Sequence, residues 1–327
     1  MVVNVITRHA PTNYGSLLQA IATQRVIMNL GYECRIINYI PKCETGVRMA
    51  ITQLEQKTKW RRNPIKKAIY LMVAEPETLL MDRKFLAMRK KYLLMGPRCA
   101  TTGELKKLYA EKKDEVFLTG SDQVWGPIST GHYDPTYFLD FAPKSSRKLA
   151  FAASFGKAIF DEQTLKEYGV LLKKYDSLAV RENVAVELLK KMDISAKQVL
   201  DPTLLMDADA WSEYVKPMKK PEKYVLVYQI HANSDLDHYA VKFAEKAELP
   251  LLRVSPLLHQ AKRSGKFVYC PDISGFLDLV KNAAYMVTDS FHGTAFAINF
   301  NTQFVEVLPN TGTSSRNQSI RIDWTDR

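Results

Sequence analysis

Cysteine is scarce and unclustered. Cys34, Cys43, Cys99 and Cys270 form no C-x-x-C pair and have no histidine at zinc-ligand spacing. A disulfide framework and a structural zinc site are therefore not expected, and the four are read as reduced, mostly buried thiols. Long apolar runs are also missing: no 18 consecutive apolar residues occur, so no helix is expected to span a membrane. The opening MVVNVITRHAPTNYG lacks both the charged start and the apolar stretch of a secretory signal. It reads as a first β-strand, and the chain is expected in the cytoplasm. Zinc-finger, RNA-recognition and helix-turn-helix signatures are absent, as is a carboxylate cluster able to hold a metal. What remains is globular: 327 residues, 46% hydrophobic and 25% charged, a length that suggests two domains at roughly 100–200 residues each.

The formal charge of +11 would ordinarily point to nucleic acid. It is confined to one stretch. Residues 42–113 carry 18 Lys and Arg against 7 Asp and Glu, whereas the other 255 residues carry 28 of each sign. Within the stretch, apolar residues recur at spacings of three and four (Ile65, Ala68, Ile69, Met72; Leu80, Phe85, Met88, Tyr92), a helical period. Lys, Arg and Trp60 interleave with them. Two readings stand: a basic helical insertion that rests on an anionic membrane surface, each cation contributing about 1 kcal/mol there, or a solvated insertion whose lysines keep it soluble. Nucleic acid is not an expected partner.

Elsewhere short β-branched runs alternate with helical patterns. The runs are residues 2–7, 34–40, 116–120, 148–154, 177–181 and 197–200, with helices such as 15–30 and 161–174 between them. From Tyr224 the pattern restarts with YVLVYQI, LPLLRVS, KFVYC, AAYMVTDS and TQFVEV, and helices over 235–247 and 273–282. Strands alternating with helices imply parallel sheets covered on both faces. The expected fold class is thus α/β, two Rossmann-like domains facing across a cleft, over residues 1–206 and 207–327, with Asp201–Pro221 as linker. In such sheets ligands gather at the carboxyl ends of strands, so chemistry is sought there.

After the first strand, TRHAPTNYGSLLQA puts Asn13, Tyr14 and Gly15 before a helix begun by Ser16, a turn suited to an anion or a sugar hydroxyl, or simply to a helix cap. His9 is a secondary candidate on this side. The third strand ends in TGSDQVWGP, bringing Ser121, Asp122 and Gln123 beside Trp125: acceptors for hydroxyls next to an aromatic face for a sugar ring. FAASFG ends the fourth strand with Ser154 and Gly156. SLAVREN delivers Arg181 and Glu182 as the fifth stops, where a planar guanidinium suits a carboxylate or phosphate or else pairs internally. Asp201-Pro202 reads as the start of the interdomain turn. In the second half, TDSFHGTAFAINF sets Asp289, Ser290, His292 and Gly293 in a strand-to-helix turn, where a dipole end holds anions and a histidine moves protons near neutral pH. His132, His231, His238 and His259 are read as surface or loop residues.

Taken in order, NYGSLLQA, GYECRIINYIP, TGSDQVW, FAASFG, SLAVREN, VLDPTLL and TDSFHGTAFAINF resemble the polysaccharide pyruvyl transferase family over nearly the whole chain. The resemblance implies two Rossmann-like domains like those of GT-B glycosyltransferases. It also implies transfer of a carboxyethylidene group from phosphoenolpyruvate to two hydroxyls of a sugar in a surface polysaccharide or its lipid-linked precursor. By position, Arg181 and His292 match donor-site residues. Several members carry Arg two residues before that histidine, where this chain has Ser290; Arg316, Arg321 or a cation of residues 262–266 is the expected replacement. The family tends to finish with a long helix, of which IDWTDR reads as only the start. The expected roles are therefore His292 and Asp122 in proton transfer, and Arg181, Ser290, His292, Gly293 and Arg316 at the donor. Asn13, Tyr14, Gly15, Ser121, Asp122, Gln123 and Trp125 are expected at the acceptor, with no metal or cofactor and peripheral contact with the inner face of the cell membrane. The rival readings are a glycosyltransferase using a nucleotide-sugar and a non-catalytic assembly protein.

Overall fold

The computed structural model describes residues 1–45, 51–52, 64–157 and 159–308, the side chains of 64–75 excepted. The chain divides into two compact units, Met1–Thr12 with Ser16–Pro202, and Asn13–Gly15 with the chain from Thr203 onward. The division falls four residues before the expected boundary, and the short NYG segment groups with the second unit. The stretch read as a linker packs there too: Trp211 is fully buried against Phe296, and its indole N–H donates to the Thr203 carbonyl.

The first unit is a six-stranded, all-parallel sheet in the order β2-β1-β3-β4-β5-β6, formed by Val2–Ile6, Glu33–Ile36, Val116–Thr119, Lys148–Ala153, Ser177–Val180 and Lys197–Gln198. The numbering runs β1 to β6 in chain order. Each strand is short and, at the centre, buried on both faces, as helix-covered parallel strands must be. Helix α1 (Tyr14–Asn29) follows β1. Because β2 lies on one side of β1 and β3 on the other, the chain reverses its direction of winding there, opening a crevice at the carboxyl ends of β1 and β3.

Helices α2 (Pro64–Tyr92) and α3 (Thr102–Tyr109) fall within the basic stretch, so its helical period is real. Residues 46–50 and 53–63, including Trp60, lie outside the described residues. The described part is not a mere excursion. Met81, Phe85, Met88 and Leu93 are buried, and the chain bridges the end of β2 at Ile36–Met95 and the segment after it at Tyr39–Cys99. Met81, not the expected Leu80, takes the inward position. Arg89, one of the cations counted toward a basic surface, is buried and donates to the Ala10 carbonyl at 2.7 Å.

The second unit is a five-stranded parallel sheet in the order β11-β10-β7-β8-β9, from Val225–Tyr228 (β7), Leu251–Ser255 (β8), Lys266–Tyr269 (β9), Tyr285–Thr288 (β10) and Gln303–Glu306 (β11). Here the winding reverses between β7 and β10, which pair in register from Tyr285–Val225 to Thr288–Tyr228. The intact helices continue the numbering: α4 (Glu162–Leu172), α5 (Asn183–Lys190), α6 (Ala208–Ser212), α7 (Ser234–Lys246), α8 (Ile273–Lys281) and α9 (Phe291–Asn299). Their starts follow from the sequence: Asp161, Asn233 and Ser290 each accept a first-turn N–H with a side-chain oxygen. Among the described residues no helix is long and apolar enough to cross a membrane.

Candidate functional site

In the first unit the motifs that end β3, β4, β5 and β6 meet in one buried polar chain. Ser121 Oγ donates to Asp201 Oδ2 at 2.8 Å, Arg181 Nη1 donates to the same oxygen at 2.9 Å, Arg181 Nε donates to Glu182 Oε1 at 3.1 Å, and Ser154 Oγ donates to that carboxylate at 2.8 Å. The Ser154 hydroxyl also accepts the Gly156 N–H. A bulge between Ala150 and Ala153, with Ala152 at φ 54°, turns the end of β4 toward Glu182. Arg181 is 4% exposed. Burial alone would lower its pKa, but Glu182 and Asp201, with Asp122 adding, outweigh that and raise it. The expected donor clamp is thus an internal ion-pair centre, and Asp201 is its second carboxylate rather than a simple turn residue.

At the β1/β3 crevice, Asp122 stands in the left-handed region at φ 75°, rare for a residue with a side chain. Its Oδ2 accepts the Ser16 hydroxyl at 2.8 Å and its Oδ1 the Gln123 N–H at 2.8 Å. The left-handed turn sends Val124 and Trp125 back into the core. Trp125 is fully buried, its ring 5.1 Å from Phe155 and 5.8 Å from Phe138. It offers no face to a sugar, which corrects that expectation. Ser121 is buried as well, leaving half-buried Asp122 and Gln123 of the TGSDQVW motif within reach of a ligand.

His9 is also a core residue. Fully buried, its ring lies 3.1 Å from the Thr7 carbonyl and 3.5 Å from Asn38 Oδ1. Burial, reinforced by the Arg89 charge, lowers its pKa to about 4. The unfolded chain takes up a proton near pH 6.5 that the native ring refuses. Stability is therefore lost as pH falls from about 6.5 to about 4, by up to ~3 kcal/mol from this group. Denaturant unfolding at pH 7 and pH 4.5 is expected to show a smaller difference for His9→Gln than for the parent. Equal differences would mean that the native ring is protonated.

In the second unit, Asn13 Oδ1 accepts the Gly15 N–H at 2.7 Å, an Asx turn that starts α1. Tyr14 is buried, stacked on Phe276 at 4.3 Å with its hydroxyl on the Pro271 carbonyl, so it anchors the segment rather than meeting an acceptor. Gly15 faces His292: a Cβ there would lie 2.2 Å from Nδ1 and 2.6 Å from Cγ of the imidazole. The glycine read as acceptor-binding is the bed of the candidate catalytic ring.

His292 sits in the first turn of α9, half-buried, beside the Phe291 ring. Ser290 caps that helix, its Oγ accepting the Gly293 N–H at 3.2 Å, and is 2% exposed. At Gly293 a Cβ would lie 2.5 Å from Thr288 Oγ1 and 3.1 Å from Tyr228, so only glycine lets α9 close onto β10 and β7. Of the suggested replacement cations, Arg316 and Arg321 lie outside the described residues. Arg263 is held by Asp237 at 3.1 Å and by Gln229 Oε1. One residue passed over in sequence enters here. His231, just past β7, places Nδ1 3.2 Å from Asp289 Oδ2, just past β10. Among the described residues no group of three or more His, Cys, Asp or Glu is disposed to share a metal ion.

The fold is shared with enzymes of nucleotide-sugar chemistry. An α-glucosyltransferase solved with UDP-glucose and DNA containing an abasic site is similar at 8% identity over 100% of this chain and 83% of that one, TM-score 0.51. A UDP-GlcNAc 2-epimerase from Methanocaldococcus jannaschii is similar at 14% identity over 100% and 94%, TM-score 0.50. At such identities the likeness concerns the two parallel-sheet α/β domains of a GT-B-like fold. No curated protein matches the sequence. The family model described as polysaccharide pyruvyl transferase matches residues 13–311, from the Asx turn at Asn13 through the His292 turn and beyond. The chain belongs to the polysaccharide pyruvyl transferase family and is a transferase.

Proposed function

We propose that the chain transfers a pyruvate ketal group from phosphoenolpyruvate to two hydroxyls of a saccharide in a cell-surface polysaccharide or its lipid-linked precursor, working at the cytoplasmic side. The observation that carries this reading is His292, the family's histidine, seated on Gly15 in the first turn of α9. A helix N-terminus favours the phosphate and carboxylate of the donor, and an imidazole there can move a proton. Protonation of the donor's methylene carbon makes its C2 an electrophile for a sugar hydroxyl. Phosphate then leaves with the bridging oxygen, and the second hydroxyl closes the ketal. His292 supplies the proton to carbon. Asp122, with Gln123 beside it, is the candidate base for an acceptor hydroxyl, and Arg316 is the candidate cation for the donor. Arg181 fixes the strand ends of the first unit.

Phosphate release from phosphoenolpyruvate, measured over a panel of methyl hexosides and lipid-linked oligosaccharides, tests the reading. His292→Ala is expected to keep its fold and lose turnover by ~10²–10⁴-fold. Normal turnover in that variant would remove His292 from the mechanism.

The basic stretch is proposed to bring the enzyme to an anionic membrane surface. Deleting it whole would remove Phe85, Met88 and Leu105 from the first unit's interior, so the test is charge removal. Changing Lys57, Lys59, Arg61 and Arg62 to Gln is expected to weaken low-salt binding to anionic vesicles by ~4 kcal/mol at most. Unchanged binding would leave these four cations a solubility role.

A further inference from the structure

The second sheet reverses its winding between β7 and β10, and the only residues just past those two strand ends that carry a titratable pair among the described residues are His231 and Asp289. Asp289 is fully buried, and three bonds converge on its carboxylate: Ile230 N–H to Oδ1 at 2.7 Å, His231 N–H to Oδ2 at 2.8 Å, and the His231 ring to Oδ2 at 3.2 Å. A carboxylate can only accept, so Nδ1 carries the hydrogen in that contact and the ring is held by both its backbone and its side chain. The His231 side chain is 39% exposed while Asp289 is 0%. Nε2 is therefore the ring nitrogen left to meet a ligand. Asp289 directly precedes Ser290, the cap of the helix that carries His292, so the pair adjoins the candidate donor turn. Of the other charges near this loop, the Arg253–Asp237–Arg263 cluster joins the chain two residues earlier at Gln229, and Glu306 of β11 stands in register with Thr288, next to Asp289.

The proposed reaction needs more than one proton carrier. Two hydroxyl protons are lost, one proton is gained at the methylene carbon, and one leaves with phosphate. We infer that His231, oriented by Asp289, is a second catalytic residue of the donor site, giving a proton to the bridging oxygen of phosphoenolpyruvate as the C2–O bond breaks and its electron pair departs with phosphate. The first hydroxyl's proton passes through the acceptor-side base to solvent, which reprotonates His231. The second hydroxyl's proton restores His292 after that ring has protonated carbon. No redox partner is required. The inference rests on the pyruvyl-transfer reading, and its test separates the two.

The imidazole nitrogens of ¹⁵N-histidine-labelled protein are followed by NMR, with His231→Gln and His292→Gln assigning the signals. Phosphoenolpyruvate is expected to move the His231 Nε2 signal and that of His292, whereas UDP-glucose leaves both in place. In kinetics, on an acceptor the parent uses, His231→Gln is expected to lower kcat by ~10²-fold or more, keep KM for phosphoenolpyruvate within about threefold, and remove one limb of the pH profile. Asp289→Asn, which keeps an acceptor for one of the two backbone N–H groups, is expected to shift that limb with a smaller loss of kcat. If phosphoenolpyruvate moves His292 but not His231, or if kcat survives in His231→Gln, the dyad has no catalytic part while the transfer reading stands. If phosphoenolpyruvate moves neither histidine and the parent releases no phosphate, the transfer reading fails and this inference with it.

Discussion

Arg181→Met is expected to destabilise the first unit by about 3–5 kcal/mol, the range found when one partner of a buried ion pair is removed. The guanidinium is the only cation bonded directly to both Asp201 and Glu182 among the bonds described, and those carboxylates also hold Ser121 and Ser154. With Arg181 gone, two buried carboxylates lose the cation between them while Ser121 and Ser154 still donate to them. Denaturant unfolding measures the loss. The competing role, a clamp on the donor's anions, makes an opposite forecast: a stably folded variant whose affinity for phosphoenolpyruvate has fallen. A second variant, Arg181→Lys, keeps the charge but not the fork that reaches Nε and Nη1 to two different carboxylates, so it too is expected to lose stability, though less.

Gly15→Ala is the second large effect. The new methyl would sit 2.2 Å from His292 Nδ1, with the Tyr14 ring locked on Phe276 on one side and α1 beginning on the other. The imidazole must swing away, because the backbone is held by the Asn13 turn. Overpacking of this kind costs about 1–3 kcal/mol, and a misplacement of the order of an ångström at a reacting group costs about 10²-fold in rate. In a His292→Ala background the clash disappears, so the stability cost of Gly15→Ala is expected to vanish. A double-mutant cycle on thermal unfolding checks this. Additive costs would place the ring elsewhere.

The strands and helices were legible because β-branched runs alternate with helical periods; ten of the eleven strands form within the expected runs, and β2 starts one residue before its own. Parallel topology followed from the same alternation. Side-chain direction at strand ends was not legible. Trp125 beside Asp122 reads as a sugar platform, yet the left-handed backbone at Asp122 turns the indole inward, and nothing in TGSDQVWGP announces that turn. Arg181 reads as a ligand because its partner Asp201 lies 20 residues on, in what looks like the start of a linker. Tyr14 and Gly15 look like a loop facing the first sheet, whereas the chain folds them against Phe276 and His292. His231 was missed for a related reason. Its partner Asp289 is 58 residues away, and the two meet only because β7 and β10 are neighbours. The signal was present in one form: each follows a strand end, and each would stand out once the strand order placed the reversal between them.

Ser290 is instructive in another way. Where the resemblance led to the expectation of Arg, this chain places a small residue whose hydroxyl caps α9 and which is almost wholly buried. The position serves the helix that carries His292.

Thermal unfolding with added ligand tests the central claim most directly, because it needs no acceptor. Any compound that binds the native state alone raises the unfolding midpoint, by about 2.7 kcal/mol of stabilisation at a hundredfold excess over Kd. Phosphoenolpyruvate is expected to raise the midpoint of the parent, more weakly that of His292→Ala, while UDP- and GDP-sugars leave it unchanged. Stabilisation by a nucleotide-sugar with no response to phosphoenolpyruvate would contradict the account.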